Sequence, residues 1–229
     1  MPKRIAKPQP LHEPTELRII GGQFRGSKLL YHGDPVTRPM KERVRESLFN
    51  LISTECRGKH AFDLFAGTGA LGIEALSRGA ESATFIEKHI PTARVVEQNI
   101  AALALEDRTE LLMTSAFLWG KRDLPKTAVA RMQDATNRSE SPSIKLPPVA
   151  KPWLVFCSPP YSFFVDQQTQ MLELINAVLE YCPTGSILLV EADERFDFGL
   201  LPGGLRTEKR GPGWDVRTYP PAVVGVWRT

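Results

Sequence analysis

Cysteine is scarce in this 229-residue chain: Cys56, Cys157 and Cys182 form no C-x-x-C pair and no even framework. That excludes a disulfide scaffold and points to a reducing cytosol. The four histidines, His12, His32, His60 and His89, show no metal-ligand spacing, so no metal is expected. No apolar run reaches the roughly 18 residues that read as a membrane span. The opening MPKRIAKPQP lacks the apolar core of a signal peptide. The expectation is a soluble, cytoplasmic protein without a membrane partner, and no internal repeat is visible.

Charge is unevenly placed. The net charge is +3, but the first 50 residues carry ten Lys/Arg and five Asp/Glu, which leaves the remainder slightly negative. A basic front end suits a polyanion, because neutralising phosphates releases counterions. Residues 1–16 are Pro-rich and read as a disordered tail. From 17 to 36, Leu17-Arg18-Ile19-Ile20 and Lys28-Leu29-Leu30-Tyr31, joined through Gly21-Gly22 and Arg25-Gly26, read as a small basic hairpin extension. The main domain is expected over 37–229. Its first helix spans about 39–53, with Val44, Leu48, Leu51 and Ile52 inward and Arg38, Lys41 and Arg45 on another side.

The organising stretch is HAFDLFAGTGALG, His60 to Gly72. An apolar strand interrupted by Asp63 runs into glycines at 67, 69 and 72, then into an Ala/Leu/Ile-rich helix. The glycines permit a sharp turn and close approach of a ligand to the backbone, beside the unpaired N–H groups of a new helix. Literally they spell the dinucleotide fingerprint G-x-G-x-x-G, with Glu87 at the ribose-binding distance. Two features shift the reading away from a nicotinamide dehydrogenase. Asp63 places a carboxylate where a pyrophosphate would approach, and Ser158-Pro159-Pro160-Tyr161 directly follows the apolar strand Trp153–Cys157. In open α/β sheets the carboxyl ends of strands carry the chemistry, so both motifs are expected to face one site.

Asp63 to Gly72, Glu87 and the Pro-Pro-Tyr resemble class I S-adenosylmethionine-dependent methyltransferases that modify exocyclic nitrogens. Further matches are Arg18-Ile19-Ile20-Gly21-Gly22, Arg25-Gly26, Leu29, Thr37-Arg38-Pro39, Arg43-Val44-Arg45-Glu46 and Phe49-Asn50. These resemble a narrower family, the bacterial ribosomal RNA small-subunit methyltransferase D, a 16S guanine-N2 methyltransferase.

The resemblance implies an α/β class I methyltransferase (Rossmann-like) fold: a mostly parallel seven-stranded sheet, helices on both faces and the small N-terminal β-hairpin. It implies S-adenosyl-L-methionine as cofactor, contacted by Asp63, Phe65, Ala66, Gly67, Gly69, Leu71, Glu87, Lys88, Ser115 and Ala116. Ser115 departs from the acidic residue usual beside the adenine. It implies catalysis at Ser158, Pro159, Pro160 and Tyr161, and RNA contacts by Arg18, Arg25, Lys28, Arg38, Lys41, Arg43 and Arg45. The partner would be small-subunit ribosomal RNA or the assembling small subunit, met by a monomer.

Ser158 stands where the family has Asp or Asn. A hydroxyl is shorter and uncharged, so a rate penalty of roughly tenfold is expected. Two alternatives stay open: a weakened or inactive RNA-binding assembly protein, or an N6-adenine DNA methyltransferase. Cys157, with no nearby histidine, reads as core.

Along the rest of the chain, Ala70–Arg78 and Pro91–Leu103 are expected as helices. Strands are expected at 83–87, 109–113, 153–157 and 186–191. Residues 121–150 read as a flexible insertion, Asp166–Tyr181 as a helix, and Leu205–Arg210 with Val223–Arg228 as a closing antiparallel pair.

Overall fold

The structure is a computed structural model that describes residues 17–31, 40–134, 151–208 and 211–229. The expected tail over 1–16, Arg38 and the Pro39 helix start lie outside the described residues. So does the second half of the expected insertion.

Strands β1 (Leu17–Arg18) and β2 (Lys28–Leu29) pair antiparallel, with Leu17 opposite Leu29 and Arg18 opposite Lys28. This two-strand ribbon is the expected hairpin. Helix α1 (Glu42–Ile52) follows, burying Val44, Leu48, Phe49 and Ile52. The main sheet comprises β3 (His60–Asp63), β4 (Ser82–Ile86), β5 (Thr109–Leu112), β6 (Trp153–Cys157), β7 (Ile187–Asp193), β8 (Asp215–Tyr219) and β9 (Ala222–Arg228). Their spatial order is β5-β4-β3-β6-β7-β9-β8. The first five are parallel, and β9 runs antiparallel to both of its neighbours. The apolar runs of β3 and β6 follow from their central position, where both faces are covered and alternation disappears.

Helices α2 (Ala70–Ser77), α3 (Ile90–Ala102), α4 (Ala116–Asp134), α5 (Phe163–Asp166) and α6 (Gln168–Tyr181) cover the two faces. One core lies beneath α1, α2 and α3, with Phe49, Leu76, Phe85 and Phe156. The other lies beneath α4 and α6, with Phe62, Trp119, Trp153 and Ile175. The strand order reverses between β3 and β6, so the carboxyl ends of these two neighbours flank a crevice, the place where open α/β sheets bind ligands.

Several expectations need correction. Helix α4 continues to Asp134, through Pro125, where an aperiodic insertion was expected from 121. The closing pair is formed by β8 and β9 around Pro220-Pro221; of the described residues in 205–208, only Leu205 makes a bridge, to Trp214. The Gly-Pro-Gly at 211–213 hid the strand start, because Gly213 at φ +108° ends the loop immediately before Trp214. Expected inward residues Leu172 and Leu179 of α6 are half-buried, while Leu174 and Val178 are buried. The helix restarts at Gln168, after Gln167, which shifts its phase.

The arm before α1 is fastened to the domain by buried polar side chains. Glu74 on α2 accepts from the N–H groups of Ile20 and Gly21, each at 2.8 Å. Ser77 accepts from Phe24 N–H at 2.9 Å. Asn99 on α3 accepts from Leu30 N–H at 2.7 Å and donates to the Thr68 carbonyl at 2.9 Å. The second glycine of the Arg-Ile-Ile-Gly-Gly motif is required by this approach. A Cβ at Gly22, where φ is +77°, would sit 1.9 Å from the Ser77 carbonyl oxygen.

Candidate active site

A cavity of about 570 Å³ opens over the carboxyl ends of β3 to β7. It is lined by Phe65, Ala66, Gly67 and Leu71 from the glycine turn, and by Glu87 and Lys88 after β4. Ser115 and Ala116 after β5 join them, with Ser158, Pro159, Pro160 and Tyr161 after β6. The two motifs that the sequence placed 90 residues apart therefore share one space.

The turn is built by Gly67 at φ +55° and Gly69 at φ +79°, conformations that side chains disfavour. Gly72 is needed for packing, since a Cβ there would lie 2.3 Å from the Phe85 ring. Glu87 sits at the cavity wall, its Oε2 accepting from Gly67 N–H at 3.0 Å and its Oε1 from His89 N–H at 2.8 Å. Two backbone donors fix the carboxylate, and each oxygen retains a lone pair for a diol.

Asp63 and Gly69 do not line the cavity. Asp63 is buried; its Oδ2 accepts from Gly72 N–H at 3.1 Å, and its Oδ1 has no partner among the described residues. Burial, with the Glu87 charge adding to it, pushes this carboxyl up to about 7 against the pull of the Gly72 bond. Its place is behind the turn, tying β3 to the start of α2, and the expected direct contact with a cofactor is corrected accordingly.

Phe65, Phe117 and Phe163 form an aromatic wall, with ring centroids 5.9 to 6.0 Å apart. The Lys88 ammonium lies over the Phe163 ring at 5.1 Å. Phe163 was not anticipated; it falls two residues after the Pro-Pro-Tyr, and nothing local distinguishes it from core.

Glu191, near the end of β7, is a cavity residue that sequence reasoning missed. It is 5% exposed and lines the cavity. Ser158 Oγ donates a short hydrogen bond to its Oε2, and Tyr161 Oη donates to its Oε1 at 2.7 Å. Burial raises the Glu191 carboxyl, and the two hydroxyl bonds oppose that rise. A detectable signal was present: an acid directly after the apolar run Ile187–Val190, near a strand's carboxyl end, much as Asp63 follows Ala61-Phe62.

Of the expected RNA-contacting residues, Arg18, Arg25, Lys28, Lys41 and Arg43 are exposed. Lys41 lines the cavity, and Arg43 donates to the Pro220 carbonyl at 3.3 Å. Arg45 is a correction. It is fully buried, its guanidinium donates to the Arg18 carbonyl, and burial lowers its pKa while Glu74 and Glu42 oppose that. The helical phase turns Arg45 inward beside Val44, under the arm. Cys157 is buried at the end of β6, and burial drives its thiol far above the usual range. Among the described residues, no group of three or more His, Cys, Asp or Glu could hold a metal, and no helix is long and apolar enough to cross a membrane.

Comparison with known proteins gives three findings. Residues 17–210 match the family model described as conserved hypothetical protein 95. Ribosomal RNA small subunit methyltransferase D of Escherichia coli is 47% identical over 88 residues, 38% of this chain and 44% of that protein. A putative rRNA methyltransferase of Bacillus subtilis is 37% identical over 100 residues, 44% of this chain and 54% of that one. The chain thus spans about half the length of these relatives. Among solved structures, a putative methyltransferase from Escherichia coli superposes with TM-score 0.63 at 25% identity, covering 93% of this chain and 97% of the other.

Proposed function

Because the chain belongs to the conserved hypothetical protein 95 family, we propose that it is an S-adenosylmethionine-dependent methyltransferase acting on the exocyclic N2 of a guanine in small-subunit ribosomal RNA. The observation that carries this reading is the single cavity shared by the glycine turn and the Ser158–Tyr161 motif.

The residues present suit the methyl donor. The Phe65, Phe117 and Phe163 wall offers an apolar slot for adenine, with Ser115 at its edge. Glu87 is held to accept from both ribose hydroxyls. The Ala66-Gly67 backbone and Leu71 close over the sugar and the amino-acid end. When bound, the donor supplies an activated methyl group on a sulfonium, so neither a metal nor a covalent enzyme intermediate is needed.

The protein's own contribution is alignment, since a near-attack arrangement of nucleophile, carbon and sulfur removes much of the barrier. Tyr161, its hydroxyl anchored to Glu191, stacks on a base turned out of its helix. The Pro159 carbonyl and Ser158 Oγ accept the two amine hydrogens and localise the nitrogen lone pair toward the methyl group. Pro160 stiffens the turn. Arg18, Arg25 and Lys28 on the arm, with Lys41 and Arg43 beside α1, contact phosphates, and the protein works as a monomer in the cytoplasm.

The test is titration calorimetry with S-adenosylhomocysteine and with NAD, followed by radiolabelled methyl transfer to small ribosomal subunits, naked RNA and DNA. Mass mapping of the labelled nucleotide follows. Binding of the adenosyl ligand alone and label in N2-methylguanine are expected. Label in DNA adenine, or binding without transfer, refutes the assignment.

A further inference from the structure

The reaction motif is short of a charge, and the fold places one beside it. Cys157 pairs with Val190 in the β6–β7 register, so Ser158, just past the end of β6, lies beside Glu191 of β7 at the cavity. On the other side, Glu191 pairs in register with Val224 of β9. Its bonded side-chain partners are two hydroxyls, Ser158 and Tyr161, and both donate to it. The cations of the same cavity, Lys41, Lys88 and Arg195, make no hydrogen bond or ion pair to it among the described residues.

We infer that Glu191 supplies, through Ser158, the carboxylate that the motif itself lacks, and that Ser158 and Glu191 together form the amine acceptor. This rests on the methyltransferase reading above. A hydroxyl that donates to a carboxylate holds a more electron-rich oxygen, and it keeps lone pairs for accepting. Ser158 Oγ therefore accepts an N2 hydrogen as a charge-assisted partner, which a serine alone would not be.

The step balances within these groups. The N2 lone pair forms the bond to the methyl carbon as the carbon–sulfur bond breaks, and the electron pair of that bond stays on sulfur. The nitrogen, now positive, releases one proton to Ser158 Oγ while the serine proton passes to Glu191 Oε2. Glu191 becomes a neutral acid and later returns the proton to solvent. Its raised affinity for protons suits this transient role. Glu191 acts through Ser158 and is a positioning residue. Tyr161, bonded to the other oxygen, fixes the carboxylate's plane and ties the stacking ring to the same anchor.

Relocating the charge tests this. Glu191→Gln is nearly isosteric and is expected to lower kcat by about 100-fold. Its calorimetric affinity for S-adenosylhomocysteine should stay close to that of the wild type. Guanosine, titrated in the presence of S-adenosylhomocysteine, should bind about tenfold more weakly to this variant, the loss of one charge-assisted bond. The double variant Ser158→Asp/Glu191→Gln moves the carboxylate to the motif and is expected to recover kcat to within about tenfold of wild type, together with guanosine affinity. A merely structural Glu191 would give no such rescue. Matching thermal melts for the three proteins establish that each is folded, and Glu191→Asp serves as a second single variant should Glu191→Gln melt early.

Wild-type kcat in Glu191→Gln, or a double variant no better than Glu191→Gln, overturns the inference and leaves the methyltransferase reading intact. A wild-type protein that binds S-adenosylhomocysteine but labels no RNA overturns both.

Discussion

Replacing Asp63 by Asn should stabilise the protein at pH 8 and destabilise it near pH 4. In the folded chain this buried carboxyl titrates at about 7, whereas the unfolded chain releases the same proton at about 3.9. Within that window folding takes up a proton. Stability is therefore lost progressively as pH rises from about 4 to about 7, and above that it stays at the lower level. A gap of about three pH units at about 1.4 kcal/mol each places the full cost of the buried charge at about 4 kcal/mol. Asn keeps an oxygen for the Gly72 N–H and removes the charge, but it leaves an amide N–H group short of a partner beside the position where Oδ1 already lacks one. That omission costs about 1–3 kcal/mol. The net gain at pH 8 is about 1–3 kcal/mol, or about 3–10 °C in Tm for a domain of this size. Near pH 4, where both states of the wild type hold the proton, only the amide's cost remains, and the Asn variant should be less stable than the wild type by about 1–3 kcal/mol. Thermal unfolding followed by circular dichroism from pH 4 to pH 9 reads the whole curve. A Tm difference that is constant across the range, or an Asn variant less stable at pH 8, would refute the reasoning.

Gly22→Ala forces a Cβ onto the Ser77 carbonyl at a backbone angle that alanine resists, so the arm should lift from α2. Hydrogen exchange should lose protection over 17–31 while β3 to β7 keep theirs, at a cost of about 2 kcal/mol. Lys41→Ala should reduce the slope of log affinity for RNA against log salt by about 1, with an unchanged Tm. Arg45→Ala should do the reverse, lowering Tm and leaving the slope alone. Cys157 should resist alkylation at pH 8 until denaturant is added, because burial suppresses its thiolate; labelling of Cys157 in the native protein would contradict that.

How much was legible depends on how local each signal is. The glycine turn, the strand before it, Glu87 and the Pro-Pro-Tyr are short-range patterns whose chemistry sits in consecutive residues, and each was found where the structure has it. Glu191 was not, because its place is set by Ser158, 33 residues away just past the end of the neighbouring strand. Arg45 illustrates the opposite failure. A charged residue one position from the apolar stripe reads as surface, and only the arm folding over α1 buries it. The β8 strand escaped because Gly and Pro punctuation around 211–213 and 220–221 outweighed a weakly alternating Asp215–Tyr219. Helix α4 was missed altogether, because 121–150 read as an insertion from its polar, Pro- and Ser-rich, aperiodic character.

Asn99 holds the arm by Leu30 and, with the same amide, the carbonyl of Thr68 in the glycine turn. One side chain thus belongs to two neighbourhoods, the ribbon that carries Arg18, Arg25 and Lys28 and the glycine loop at the cavity. Thermodynamic reciprocity then governs both: whatever factor a polyanion on the ribbon adds to the hold on the small molecule, the small molecule must return to the polyanion in full.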